Sequence, residues 1–328
     1  MRCMVMVRRC CGAALLSLQC ACTGAQSTLD PQGPVAESIT TLWWVMLAGA
    51  ALIWVVVMAT LGYAMFRSHH QRLHLPPVPF LIGAGLVFPT AGLTALLVYG
   101  TDVGRRITQT ADDPLIIRVI GHQWWWEVQY PAANGVPELV TANELRLPVG
   151  VAVEFVIESA DVVHSFWIPN LGGKVDMIPG RSNTLRLSAD RAGRFRAQCS
   201  EFCGAQHARM GLWVIAEPEA DFAAWREDRA SDAAMLSHPG LDRFMAHGCN
   251  ECHTLRGTAA AGTGAPDLTH LAARPTVGAV NLPFAADTLR AWLADHGQTL
   301  KPGSLGPTPR DLDAADIDAI AAYLERLQ

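Results

Sequence analysis

Charge is scarce in this chain. Asp, Glu, Lys and Arg make up 17% of its 328 residues while apolar types make up 50%, a balance tilted toward buried or lipid-facing surface. No Lys/Arg block stands out and the net charge is only −5, so the footprint of a nucleic-acid binder is missing. Also missing are an internal repeat, a low-complexity tract, a Ser/His/Asp set and a phosphate-cradling Gly loop, which removes the common hydrolase and nucleotide-binding readings. The paired carboxylates Asp112/Asp113 read as a turn.

Cysteines for structural disulfides are lacking too. Cys3, Cys10, Cys11, Cys20 and Cys22 crowd the N-terminus, and the other four form two close pairs, Cys199/Cys203 and Cys249/Cys252, in cofactor-like contexts. None is left to bridge the mature body, so core packing and cofactors must hold it together. Export is nevertheless expected. Arg8 and Arg9 precede a short apolar stretch at 13–18, and Thr23-Gly24-Ala25 offers a small-residue cleavage site before Gln26. Residues 1–25 therefore read as a cleaved signal peptide. The alternative is a lipid-modified new N-terminus at Cys20 or Cys22.

Two stretches carry no charge at all, 38–66 and 73–101, and each exceeds the roughly 20 apolar residues that cross a bilayer. Residues 26–111 are thus expected to form a transmembrane hairpin with spans at about 41–66 and 78–100. Trp43 and Trp44 at one end of the first span, and Tyr63 and Phe66 at the other, suit the interfaces. The connection at 67–76 holds Arg67, Arg72, His69, His70 and His74 and no acid. The positive-inside rule places it in the cytoplasm and both mature ends outside; the three His read as solvated loop residues.

Residues 112–217 change texture. Short β-rich runs at 115–120, 144–147, 151–157, 184–187, 195–198 and 212–215 alternate with turn residues, the pattern of an all-β sandwich or barrel. Residues 218–235 read as a linker with helical character. Residues 236–328 read as a small helical domain, with helices at 241–247, 287–295 and 313–327, the last carrying Ile317, Ile320, Tyr323 and Leu324 on one face.

Two motifs carry chemistry. In the first, Cys199-Ser-Glu-Phe-Cys203-Gly-Ala-Gln-His207-Ala-Arg-Met210, two thiolates, an imidazole and a thioether fall within twelve residues. Soft sulfur with imidazole selects copper, a weak Met ligand is a blue-copper feature, and His164 is placed to join from another strand. Two Cys can bridge two ions. A Cys/His zinc site is the competing reading, but zinc needs neither the Met nor the sandwich. In the second, Cys249-Asn-Glu-Cys252-His253, the spacing is that of c-type haem attachment with His253 as proximal ligand; a redox dithiol is the alternative.

The first motif resembles the copper loop of subunit II of haem-copper cytochrome c oxidases. Gly121-His-Gln-Trp124-Trp125-Trp126-Glu, His164-Ser-Phe-Trp-Ile-Pro and Asp176-Met-Ile-Pro-Gly-Arg181 are similar to other signatures of that family in the same order, and the hairpin matches as well. The resemblance covers about 26–217. Residues 236–328, with Gly264-Ala-Pro-Asp-Leu-Thr-His270 and Lys301-Pro-Gly-Ser, resemble the cytochrome c domain fused to some of these subunits. It implies a multi-domain membrane protein: a two-helix hairpin, an all-β cupredoxin-like sandwich and an all-α cytochrome c domain. It implies a binuclear copper centre held by His164, Cys199, Cys203, His207, Met210 and the backbone carbonyl of Glu201. The Glu201 carboxylate would share a Mg²⁺ or Mn²⁺ with subunit I, and an exposed Trp124 would receive electrons.

The implied partners are oxidase subunits I and III, with a cytochrome c or a quinol-oxidising complex as donor. The implied location is the bacterial plasma membrane, with the copper and haem domains on its outer face. The rivals are a free-standing tethered electron carrier and a copper-delivery or redox-sensing module. The chain departs from the family twice. The 67–76 connection has no carboxylate where the family often has a Glu before the second span. Gly306 follows Lys301-Pro-Gly-Ser-Leu where the family has its iron-ligating Met, and no Met occurs after Met245. The sixth iron ligand is therefore expected to be His296, with an open iron, Lys301 or another group as alternatives; His270 and His122 read as structural.

Overall fold

The computed structural model describes residues 23–68, 76–108, 113–232, 237–306 and 312–328. The signal peptide as far as residue 22 and the loop residues His69, His70, Arg72 and His74 lie outside the described residues. The chain divides into two units, 35–110 and the remainder.

The first unit holds two long helices. Helix α1 spans Pro34–Phe66 and α2 spans Pro77–Ile107, with mean hydropathies of 2.3 and 2.0 and their apolar windows unburied. At 1.5 Å per residue the 33 residues of α1 reach about 50 Å, beyond the ~30 Å hydrocarbon core. Both helices outrun the expected spans. Each begins at a proline, whose fixed φ and missing N–H suit a first helical turn. Glu37 sits in the first turn of α1 and Arg105 and Arg106 in the last turn of α2, each matching the helix dipole. A π-helical stretch, Gly83–Val87, interrupts α2.

The second unit begins with a strap that runs along the β-domain. Asn170 Nδ2 donates to the carbonyls of Gly24, Ser27 and Asp30, Gln32 N donates to Asn170 O, and Arg196 N donates to Ala25 O. The docked strap thus starts two residues before Gln26, the expected mature end. Ten strands follow: β1 Leu115–His122, β2 Trp125–Tyr130, β3 Leu139–Ala142, β4 Glu144–Pro148, β5 Val153–Ser159, β6 His164–Trp167, β7 Val175–Met177, β8 Asn183–Leu187, β9 Gly193–Cys199 and β10 Gly211–Glu217. They form two five-stranded sheets, β3-β2-β1-β5-β8 and β4-β10-β9-β6-β7. The expected sandwich is present. Burial alternates with period two along β1, β5, β9 and β10, so one face of each strand enters the core. Trp126, Phe155, Ile157 and Phe166 lie there with no exposed surface. Tyr130 links β2 to β4 across the sheets, accepting from Arg146 N and donating to Arg146 O. Burial pushes its phenol pKa up.

The expected linker is a helix for more than half its length, α3 (Glu219–Arg229), seated through Phe222 and Trp225 against Tyr130. Beyond it α4 (Pro239–Ala246), α5 (Ala286–Asp295) and α6 (Ala314–Leu324) close on a core of Phe244, Leu255, Leu289, Ile320 and Tyr323. A two-residue ribbon, Thr276–Val277 with Leu282–Pro283, and an isolated bridge between Thr254 and Ala261 add short β-structure to this domain.

Candidate metal and haem sites

Strand pairing assembles the first site. Phe166 of β6 is in register with Cys199 of β9, which sets His164 beside the end of β9. The loop that follows is closed at its neck by Cys199 N donating to Met210 O, and Met210 N donates to His207 O. Five side chains and one carbonyl converge. Cys199 Sγ lies 3.7 Å from Cys203 Sγ, 3.9 Å from His164 Nδ1 and 3.2 Å from Glu201 O. Cys203 Sγ lies 3.6 Å from His207 Nδ1 and 3.9 Å from Met210 Sδ.

The chemistry of this donor set can be tested against one ion and against two. With metal–sulfur bonds of about 2.3 Å, sulfurs 3.7 Å apart can both bond the same ion. One tetrahedral ion uses four donors and would strand the rest. A pair of ions held by Cys199, Cys203, His164, His207, Met210 and Glu201 O would use all six. The arrangement therefore fits a copper pair and not a single zinc. Both thiols are free and buried. The hydrogen bond from Cys203 pulls the Cys199 thiol well below its usual range, and His164 adds to this against burial. The Cys203 thiol is pushed up, first by that same hydrogen bond and then by burial. The pair thus shares its proton unequally, and a metal held there would need both thiols deprotonated.

His164 has no exposed surface. Its Nε2 lies 2.7 Å from Asp161 Oδ1, leaving Nδ1 for metal, as orienting carboxylates do for ligating imidazoles. Burial acts to lower the His164 pKa, but the hydrogen bonds to Cys199 and Asp161 raise it overall. Asp161 in turn accepts from Gln123 N and Val162 N. The sequence reading missed its role; the only signal was an acid three residues before the His. Gly121 makes room for the ring, since a methyl group there would lie 2.9 Å from His164 Cδ2.

Trp124 is not exposed as expected; it is 5% accessible. Its Nε1 and the Gln123 side chain both donate to Cys203 O, at 2.9 and 2.6 Å. Lys301 Nζ, itself buried, donates to Trp124 O at 2.6 Å. Burial, with the nearby Arg209 charge, pushes the Lys301 ammonium down to about 8. Around this contact Gln206 donates to Pro302 O, Arg209 Nη1 to Leu300 O at 3.1 Å, and Asn281 Nδ2 to Arg209 O at 2.7 Å. Two segments of the C-terminal domain, 278–281 and 300–303, clasp the loop that carries Cys203 to Met210.

Glu201 stands on the outside of the loop, its side chain 47% accessible, with Oε2 4.0 Å from Lys174 Nζ. The same ammonium lies 3.2 Å from Asp176 Oδ1. Phe202 beside it is 76% exposed.

In the second site Gly248, two residues past the end of α4, has a positive φ of 70° that starts the turn Cys249–Glu251. Cys249 and Cys252 are free and half-buried, and His253 N bonds back to Cys249 O. His253 Nδ1 donates to Pro266 O at 2.7 Å, which fixes the tautomer with Nε2 as the nitrogen available to iron. Burial, helped by the charges of Arg274 and His296, pushes its pKa down, so the imidazole is neutral, as a ligand must be. His270 is tied at both nitrogens, to Gln328 O and Ser231 O, matching its structural reading. His122, stacked on Trp125 with Nε2 3.3 Å from Glu127, is likewise part of the sandwich.

Known proteins agree with these two centres. Residues 115–217 match the family described as cytochrome C oxidase subunit II, periplasmic domain, and residues 239–328 match cytochrome c. Cytochrome c oxidase subunit 2 of Alkalihalophilus pseudofirmus is 30% identical over 330 residues, covering 94% of this chain and 93% of that one. The protein of the same name from Bacillus subtilis is 29% identical, covering 76% and 72%. The crystal structure of the periplasmic domain of subunit II of cytochrome oxidase of Bradyrhizobium japonicum is 32% identical, covers 37% of this chain and 96% of that one, and superposes with a TM-score of 0.34. With the copper-type donor set, the haem motif and a relative matched along nearly the whole of both chains, the protein belongs to the cytochrome c oxidase subunit 2 family.

Proposed function

We propose that this chain is the subunit through which a terminal oxidase of the bacterial plasma membrane receives its electrons. It takes them from a cytochrome c or a quinol-oxidising complex on the outer face, and subunit I, accompanied by subunit III, reduces oxygen. The carrying observation is the convergence of Cys199, Cys203, His164, His207, Met210 and Glu201 O beneath a docked haem-motif domain. Bound there and at Cys249, Cys252 and His253, copper and haem supply one-electron chemistry. The chain's own residues hold and orient the cofactors and keep water from the path between them. Asp161 aligns His164. Pro266 O aligns His253. Trp124, buried between Lys301 and Cys203, joins the haem domain to the copper loop from within, so external donors meet the haem domain and not this Trp.

Purification in mild detergent with a metal, haem and subunit census tests the reading. Copper, one covalent haem and subunit I should travel together. A fully active preparation consisting of this chain alone would favour the free-standing carrier.

Glu201 belongs to the partnership. Its exposed carboxylate, with Asp176 across Lys174, is suited to sharing Mg²⁺ or Mn²⁺ with subunit I. Glu201→Ala keeps the backbone carbonyl that faces Cys199 and should keep most of the copper spectrum. The bound Mg²⁺ or Mn²⁺ should fall, read by elemental analysis of the intact complex. An unchanged metal count would remove the carboxylate from the interface.

A further inference from the structure

The haem reading leaves one coordination position of the iron without a named group, because the family's Met is Gly306 here. We propose that His296 fills it, through Nε2, on the side of the iron opposite His253. This rests on haem being held at Cys249, Cys252 and His253.

The C-terminal domain offers few other donors. His238 Nδ1 accepts from Gly240 N, capping α4. His247 Nε2 is paired with Asp316 at 2.8 Å. His270 is bonded at both nitrogens. Lys301 Nζ is buried on Trp124 O, in the contact with the copper loop, so using it for iron would break that contact. Met245 packs against the core from α4, on the helix that leads into the attachment turn.

His296 differs from all of these. It opens a π-helical turn, His296–Leu300, directly after α5, an irregularity that places the ring outside the run of the helix. The ring stacks on Trp292, centroids 5.0 Å apart, and Nδ1 donates to Trp292 O at 3.2 Å. That bond sets the tautomer, the same device that Pro266 O provides for His253, and turns Nε2 toward the Gly306 backbone, an exposed-loop contact that iron would replace. Nε2 faces Gly306: a side chain at 306 would begin 3.5 Å from it. The imidazole thus lies beside the point from which a residue-306 side chain would extend. Burial pushes the His296 pKa down.

Two imidazoles should hold the haem at a lower potential than His with Met, which makes transfer to copper more downhill. The test uses the full chain, matured with haem and purified in detergent without subunit I, so that no other haem contributes. Wild type should give the low-spin ferric EPR and near-infrared signature of two nitrogen ligands and bind almost no CO when reduced. His296→Ala should become high-spin and bind CO fully. His296→Ala with Gly306→Met should return to low spin, gain the sulfur-to-iron charge-transfer band and rise in potential.

A wild-type chain that binds CO as His296→Ala does, or a nitrogen signature unchanged in His296→Ala, overturns the proposal. The wild-type spectra alone decide the matter if a variant fails to fold. Covalent haem is counted separately as the pyridine haemochrome, so a chain with no haem overturns the attachment reading itself, and this inference with it.

Discussion

In the assembled oxidase, Cys199→Ser and Cys203→Ser should each abolish the delocalised two-copper EPR signal and with it electron delivery to subunit I. Each sulfur stands close enough to its partner, 3.7 Å, to bond both ions, so one substitution removes half of the bridge from both at once. A serine hydroxyl cannot replace it. It is a hard donor that stays protonated, whereas the Cys199 thiol is already drawn down by Cys203 and His164, and copper here selects soft ligands. Met210→Leu marks the contrast. The thioether is a weak outer donor, so copper should stay bound, the potential should shift and transfer should slow. The copper-to-protein ratio beside the EPR line shape separates these outcomes. Zinc alone in protein from copper-replete cells, or a Cys203→Ser variant with the wild-type signal, would sink the assignment.

Much of this centre was legible because its ligands are chemically unusual and mostly close in sequence: four of the side-chain donors lie between residues 199 and 210, and His164 announces itself in its own motif. The expected runs correspond to β1, β4, β5, β8, β9 and β10, each with at least five residues. Strands β6 and β7 have four and three residues, too few for a period to show, and β2 hides in a run of Trp. What could not be read are relations between distant residues. Trp124 was expected at the surface, yet the ammonium that covers it comes from 177 positions away, and nothing near Trp124 signals it. Asp161 looks like a turn acid until His164 is seen against it. The positive φ of Val280, 65°, runs against everything a β-branched residue prefers, so no propensity argument would place it.

That strained residue leads to the second large effect: Gly211→Ala should slow electron transfer from haem to copper within the chain by up to about a hundredfold, the scale on which ångström displacements of reacting partners matter. Gly211 follows Met210 at the start of β10, and a methyl group on it would overlap Cγ2 of Val280 and stand 3.4 Å from Ala279 O. Residues 278–280 all have positive φ, 66°, 59° and 65°, and the turn they make presses Val280 onto this glycine. Holding two non-glycine residues there costs on the order of 1–3 kcal/mol each. The docked domain recovers it through Asn281 on Arg209 O, Arg209 on Leu300 O, Gln206 on Pro302 O and Lys301 on Trp124 O. Added bulk at 211 lifts this turn away, and the Lys301–Trp124–Cys203 contact opens with it. Val280→Gly removes the clashing side chain together with that residue's own backbone strain, so the double variant Gly211→Ala/Val280→Gly should regain most of the rate. The copper and haem spectra should stay close to wild type throughout, because no ligand is changed. Flash-initiated reduction of the haem, followed by the copper absorbance, reads the transfer step directly. A Gly211→Ala rate equal to wild type would show that the clasp does not set the transfer distance. A slow rate that Val280→Gly fails to restore would place the damage in the neighbouring Met210 instead.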